Sequence, residues 1–281
     1  MRRRIVEYIK DMEIIKSTGE KEMFSEDKLC QSLKNAGAPR ELANKVCALA
    51  ASDLKPGMTT SKIFRSSLRY LLKENLSLAA NYSLRRGVGE LGPAGFLFEH
   101  YVEIILQAYG YKTVRNITAK GFCVEHEIDV LAEKDGVKYY IEAKYRNEYG
   151  IKTHIDVVMY GDARLADIAK AGGGEAKLWL ITNTKFTDKA VKYAKCRDIK
   201  LTGWTHPNGD NLEDLIINRK LYPITVLPSV KRYEREQFAK FGLLLAQDIL
   251  PYSPEELANK FNIAFNTAKK IIIQSKEIIT A

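Results

Sequence analysis

Two acidic residues sit inside runs of sequence that otherwise read as strands. Residues 123–146 are CVEHEIDVLAEKDGVKYYIEAKYR. Asp129 lies between Ile128 and Val130, and thirteen positions later Glu142 lies between Ile141 and Ala143, followed by Lys144. Asp135-Gly136 between the two runs is a two-residue hairpin signal. With that turn Lys134 pairs with Val137, paired positions sum to 271, Asp129 falls opposite Glu142, and Glu127 falls opposite Lys144. Side chains alternate along a strand, so these four share one face, and Ile128, Val130, Ile141 and Ala143 take the other, toward a core. Directly opposed residues bring their Cβ atoms within roughly 5 Å, where two carboxylates repel. A divalent cation turns that repulsion into binding. Mg²⁺ prefers hard oxygen ligands and takes one or two carboxylates, with water and phosphate oxygens for the rest. Lys144 points into the same space, suited to offset charge on a phosphate or to orient a water molecule. The plainer reading of the same residues is a solvated hairpin face of mixed charge, and the hairpin alone does not separate the two.

The flanking sequence predicts the elements that hold this hairpin. An amphipathic helix is expected over 95–109, strands over 111–117, 123–132 and 137–145, and a helix over 154–171 ending at Gly172-Gly173-Gly174. Strand 176–184, helix 188–196, strand 200–204 and helix 211–219 follow. A meander followed by parallel crossovers predicts an α/β fold, a mixed sheet flanked by helices. Upstream, residues 12–23 read as a short hairpin turning at Ser17-Thr18-Gly19. Ser25 is an N-cap candidate for a helix that Gly37 stops. Further helices are expected over 39–54, from Thr60, and over 76–86.

Residues 87–95, GVGELGPAG, read as a linker. Gly87, Gly89 and Gly92 spell GxGxxG, but they leave a helix rather than a strand, which excludes a dinucleotide fingerprint. Residues 223–228 form a second linker. The tail, 231–281, is expected to be helical with a break near Asn262-Ile263. A helical hairpin closing the core and a helix-turn-helix or helix-hairpin-helix DNA contact fit it about equally. The domains are thus 1–90, 91–225 and 226–281.

The 281 residues carry a net charge of +9, and the basic excess is six in residues 1–90, one in 91–225 and two in 226–281. That distribution fits a polyanion partner and a middle domain that gathers acid at a site. No apolar run approaches the roughly 18 residues of a membrane helix, and no apolar segment follows the basic start MRRRIVEYIK, so a cytoplasmic protein without a membrane partner is expected. Cys30, Cys47, Cys123 and Cys196 form no CxxC, which argues against zinc and for reduced thiols.

Asp129 with Glu142-Ala143-Lys144 forms D-x12-E-A-K, an apolar residue preceding each acid. This resembles the PD-(D/E)xK, or restriction endonuclease-like, nuclease superfamily, with Ile128 where a proline is usual. Gly95-Phe96-Leu97-Phe98-Glu99, ahead of the strands, resembles the G-x-x-F-E helix of Mrr-like members, and α-β-β-β-α-β is the core order of that family. The resemblance covers about 95–205. It implies that Asp129 and Glu142 bind Mg²⁺ (or Mn²⁺), that Lys144 assists the attacking water, and that Glu99 contributes to the metal or its water shell, with phosphodiester hydrolysis as the reaction. Several relatives carry a glutamine in the helix after the lysine. None lies between 145 and 175, and His154 or Tyr160 are the substitutes considered.

Residues 14–29, IIKSTGEKEMFSEDKL, resemble the ATP-cone, a nucleotide-binding regulatory domain of ribonucleotide reductases, with Ser17-Thr18 replacing the usual Arg-Asp. Ala36-Gly37, Thr59-Thr60-Ser61-x-Ile63 and Ala80-x-Tyr82-x-Leu84-Arg85 continue the pattern. The resemblance covers about 12–88. It implies that Lys16, Lys28 and Arg85 reach phosphates, that Glu22 and Thr60 contact the nucleotide, and that Ile14 packs near the base. The chain has no GxxxxGK[ST], so ATP or dATP is expected as an effector rather than a fuel. Together the resemblances imply a Mg²⁺-dependent DNA endonuclease under ATP control, with DNA, adenine nucleotide and further copies of the chain (a dimer or higher) as partners. A nucleotide-responsive DNA-binding protein with an inactive nuclease fold is the alternative. A subunit regulating ribonucleotide reduction is a third reading, resting on the ATP-cone alone.

Overall fold

A computed structural model of the chain describes residues 12–281 except 17, 92–94, 149 and 173–174. The basic start, Ser17 of the first turn, and parts of the 87–95 and 172–174 glycine stretches lie outside the described residues. Among the described residues no helix is long and apolar enough to cross a membrane.

The first unit is a hairpin with helices. Strands β1 (Glu13–Ile15) and β2 (Lys21–Met23) pair antiparallel. Helix α1 (Glu26–Asn35) starts where Ser25 accepts a hydrogen bond from the Lys28 N–H, as its N-cap position predicts. Helices α2 (Arg40–Ser52), α3 (Thr60–Glu74) and α4 (Leu76–Gly89) follow. Asn75 leaves the helical conformation and caps α4, which is why 60–89 is two helices and not one. Leu33, Ala43, Val46, Cys47 and Leu71 form the core of this unit. Cys30 and Cys47 are joined by a disulfide, Cα atoms 5.5 Å apart. That corrects the expectation of reduced thiols for this pair: the packing of α1 on α2 brings together two cysteines that sequence spacing leaves unrelated. Cys123 and Cys196 are free and exposed.

The second unit opens with α5 (Phe96–Ala108) and a five-stranded sheet, β3 (Lys112–Lys120), β4 (Glu125–Lys134), β5 (Val137–Lys144), β7 (Ala176–Thr182) and β9 (Lys200–Thr202), in that spatial order. β3, β4 and β5 run antiparallel, and β5–β7 and β7–β9 are parallel, the mixed sheet that the element order predicts. Helix α6 (Ile155–Lys170) links β5 to β7, and α7 (Asp188–Cys196) links β7 to β9. Short strands β6 (Lys152–Thr153) and β8 (Lys185–Phe186), which the sequence does not announce, pair parallel beside the main sheet. Helix α8 (Leu212–Asn218) follows β9.

Two apolar layers cover the sheet, as its near-continuously buried β7 requires. Val158 of α6 and Ala190 and Ala194 of α7 pack with Leu178 and Leu180. The larger core joins Phe98, Tyr101 and Ile105 of α5 with Val130, Ile141, Trp179 and Ile181. The C-terminal helices α9 (Arg232–Lys240), α10 (Pro254–Phe261) and α11 (Phe265–Thr280) give Phe238, Leu257, Phe261, Ile271 and Ile278 to that same core. The tail therefore closes the core with its apolar face. Helix α4 joins the units: Ala79 packs in the first core, and Leu76, Ala80, Leu84 and Val88, spaced by four, pack in the second.

Candidate functional site

The Asp135-Gly136 turn forms with both residues at positive φ, 53° and 78°, the conformation a two-residue type I′ turn requires. Strand β4 pairs with β5 as Lys134 with Val137, Glu133 with Lys138, Ala132 with Tyr139, Leu131 with Tyr140 and Val130 with Ile141, each pair summing to 271. The paired ladder ends at Val130–Ile141. One residue further, the Asp129 carboxylate accepts the N–H of Ala143 at 2.7 Å. Strand β5 meanwhile stays paired with β7 through Lys144. Asp129 thus meets the backbone beside Glu142 and is not a ladder partner of that residue.

This break opens a cleft of about 350 Å³ at the carboxyl end of β5. Glu99, Asp129, Glu142 and Lys144, the four residues singled out for catalysis, all line it, along with Gly95, Arg146 and Asn147. Glu99 comes from the first turn of α5. Burial, then the Glu142 carboxylate, then Glu99 push the Asp129 carboxyl up to about 7, against the Ala143 N–H and Arg164, which pull it down. Burial and Glu142 likewise raise Glu99, against the pull of Arg115. Among the described residues no three His, Cys, Asp or Glu side chains stand close enough to hold an ion by themselves. The donor set is therefore two acids plus whatever oxygens water or a phosphate brings, which suits a hard cation of the Mg²⁺ type.

Arg164 of α6 is a residue that the sequence reading missed. Its guanidinium pairs with the Glu142 carboxylate and donates to the Glu127 carbonyl. Its Nε is buried without a partner among the described residues. Glu127 and Lys144, opposite each other in the register the turn predicts, form no ion pair among the described residues. Glu127 meets Arg164 through its backbone, and Lys144 gives its carbonyl to the Thr182 hydroxyl at 2.7 Å. Arg164 lies one turn beyond Tyr160, whose ring its guanidinium covers at 5.3 Å, and nothing in that spacing marks it as a partner of Glu142. His154 is the N-cap of α6, and neither it nor Tyr160 lines the cleft.

In the first unit Ile14, Glu22, Lys28 and Thr60 line one cleft of about 170 Å³ with Phe24 and Ile63. Lys16 stands beside it, paired with Glu22 at 3.4 Å and Glu20 at 3.3 Å. Arg85 lines an adjoining chamber of about 360 Å³.

Residues 94–216 match the family described as restriction endonuclease, and residues 222–279 match the one described as AF1548-like, C-terminal. An uncharacterized protein of Archaeoglobus fulgidus is 37% identical over 175 residues, which make up 62% of this chain and 98% of that relative. The crystal structure of AF1548, a protein of unknown function, aligns with a TM-score of 0.57 at 35% identity, covering 66% of this chain and 99% of the other. The structure of Can2 from Sulfobacillus thermosulfidooxidans, solved with cyclic tetra-adenylate, aligns with a TM-score of only 0.32 at 16% identity over 71% of this chain and 64% of that one, too slight a likeness to bear on fold or function. Residues 1–93 precede both matched segments. With a relative matched over nearly its whole length, and both segments present in order, the chain belongs to the AF1548-like family and carries a restriction endonuclease-like domain over residues 94–216.

Proposed function

We propose that this chain is a Mg²⁺- or Mn²⁺-dependent DNA endonuclease whose cutting is set by ATP or dATP bound in its N-terminal unit, an ATP-cone. The observation that carries the nuclease half is the convergence of Glu99, Asp129, Glu142 and Lys144 on one cleft of a restriction endonuclease-like domain. Asp129 and Glu142 would hold the metal ion, because a cation beside them relieves the repulsion and burial that keep the Asp129 carboxyl near 7. When bound, the ion stabilises charge on a phosphoryl oxygen and lowers the pKa of a water molecule.

The side chains do the rest. The Lys144 ammonium offsets charge building on the scissile phosphate and orients the attacking water. Glu99, its carboxyl raised by burial and by Glu142, takes a proton from water more readily than an ordinary surface glutamate. Arg164 neutralises Glu142 before a cation arrives and fixes where its carboxylate sits.

The nucleotide half rests on the cleft that Ile14, Glu22, Lys28 and Thr60 share. Thr60 opens α3, so the helix N-terminus favours a phosphate there, and Lys16 and Lys28 supply cations. A ligand acts by binding one state better than another, so nucleotide control implies two states of the chain or of its oligomer. The test is supercoiled DNA incubated with the purified protein and Mn²⁺, with and without ATP. Nicking whose rate changes with ATP is the expected result. ATP-dependent DNA binding without nicking points instead to the alternative, a DNA-binding protein with an inactive nuclease fold.

A further inference from the structure

The chamber that holds Arg85 is walled by both units. Asn81, Tyr82, Arg85 and Arg86 reach it from α4, and Trp204 and Glu213 reach it from the nuclease domain. Thr60, Phe64 and Tyr82 line both this chamber and the smaller cleft, so the two are compartments of one space. Alone, the smaller cleft of about 170 Å³ falls short of the roughly 300–1,000 Å³ of ordinary ligand sites, and with the chamber the space enters that range.

We propose that the phosphate end of the bound nucleotide enters this chamber and meets the nuclease domain directly, so that Trp204 and Glu213 belong to an effector site between the two units. This rests on the nucleotide reading above and adds the surface that senses the ligand.

The α4 wall supplies the attraction. Guanidinium groups match phosphate oxygens in a fixed fork, and Arg85 and Arg86 are adjacent there. Arg86 already lies 3.7 Å over the Phe64 ring, which stacks on Tyr82 at 4.9 Å, so ring contacts hold this wall together. The opposite wall supplies the response. Burial and then Asp214 push the Glu213 carboxyl up, while Arg85 and Lys185 pull it down. A polyphosphate that engages Arg85 takes away part of that compensation and adds like charge, so Glu213 must shift.

Glu213 sits in the first turn of α8, and Leu212 donates its N–H to the Gly203 carbonyl at 2.9 Å. The next residue, Trp204, donates to the Thr184 carbonyl at 2.8 Å. Thr184 N–H donates to the Thr182 hydroxyl at 3.3 Å, and that hydroxyl donates to the Lys144 carbonyl at 2.7 Å. Thr182 and Thr184 are both buried. The chamber wall and the end of β5 that carries Lys144 are thus joined by consecutive hydrogen bonds, a contiguous connection whose coupling is a measurable quantity.

The test is calorimetry of ATP, AMP and adenosine with the full chain, its Glu213→Gln variant and its Trp204→Phe variant, together with tryptophan fluorescence. Glu213→Gln is expected to tighten ATP about tenfold, AMP less and adenosine not at all, because the benefit grows with phosphate charge. ATP is expected to change the fluorescence of the wild type, and the change should vanish in Trp204→Phe. A uniform effect of Glu213→Gln on all three ligands, or an ATP signal that survives in Trp204→Phe, overturns the inference and leaves the nucleotide reading standing. Failure of ATP to bind the wild type overturns both.

Discussion

Asp129 would hold the metal ion in the proposed reaction, and its titration gives a sign that can be checked. Its folded pKa, about 7, lies above the ordinary carboxylate value of about 4 in an unfolded chain. Between those values the folded protein binds the more protons, so without metal its contribution to stability falls as pH rises from about 4 to 7 and is flat above. The Tm difference between Asp129→Asn and wild type in EDTA should therefore grow in favour of the variant over that window and then level off. Metal binding must displace the same proton, so Mn²⁺ affinity should climb with pH up to about 7. Arg164 makes a second residue-level prediction. Arg164→Gln leaves the largely buried Glu142 carboxylate without its counter-charge, a loss of about 3 kcal/mol by the usual size of such breaks. Mn²⁺ should restore most of the lost thermal stability. A loss that metal does not recover would mean that Arg164 serves the packing of α6 and not the charge of Glu142.

At the scale of elements, the hairpin was the most legible part of the chain. Asp135-Gly136 is a local signal, and local signals determine register directly. The observed pairing from Lys134–Val137 to Val130–Ile141 is the one the turn dictates. Gly136 sits at φ 78° with open space where a Cβ would go, so Gly136→Ala should destabilise by about 1 kcal/mol through backbone strain alone. Chemical denaturation measures this, and cleavage by the folded variant should be unchanged.

What the turn does not encode is where the ladder stops. Asp129 leaves it to accept the Ala143 N–H, and that contact depends on β5 being held by β7 from across a crossover. The short pair β6–β8 was invisible for a related reason: two-residue strands carry no periodicity. Arg164 was missed because its partner, Glu142, lies 22 positions back, and only the crossover brings α6 over β5.

At the scale of the whole molecule the sequence suggested three units, and the cores cross those boundaries. Helix α4 contributes to both main cores, and the tail helices fill the same core as Val130 and Ile141. Composition cannot announce this, because an amphipathic tail looks the same whether its apolar stripe meets the core or a partner. Removing residues 254–281 should therefore expose the face that Leu257, Phe261 and Ile271 cover, and yield aggregated protein in place of a folded, trimmed chain, as size-exclusion chromatography would show. The Cys30–Cys47 disulfide is equally a property of packing, since no spacing in the sequence singles out that pair.

The central claim is that the cleft carrying Asp129 and Glu142 cuts DNA with a divalent metal. Its most direct test compares wild type with the Asp129→Ala, Glu142→Ala double variant on supercoiled DNA in Mn²⁺, after circular dichroism has confirmed that both are folded. Nicking by the wild type and none by the double variant is the expected result. Cleavage that survives in the double variant, or a folded wild type that never nicks in Mn²⁺ with or without ATP, would contradict it.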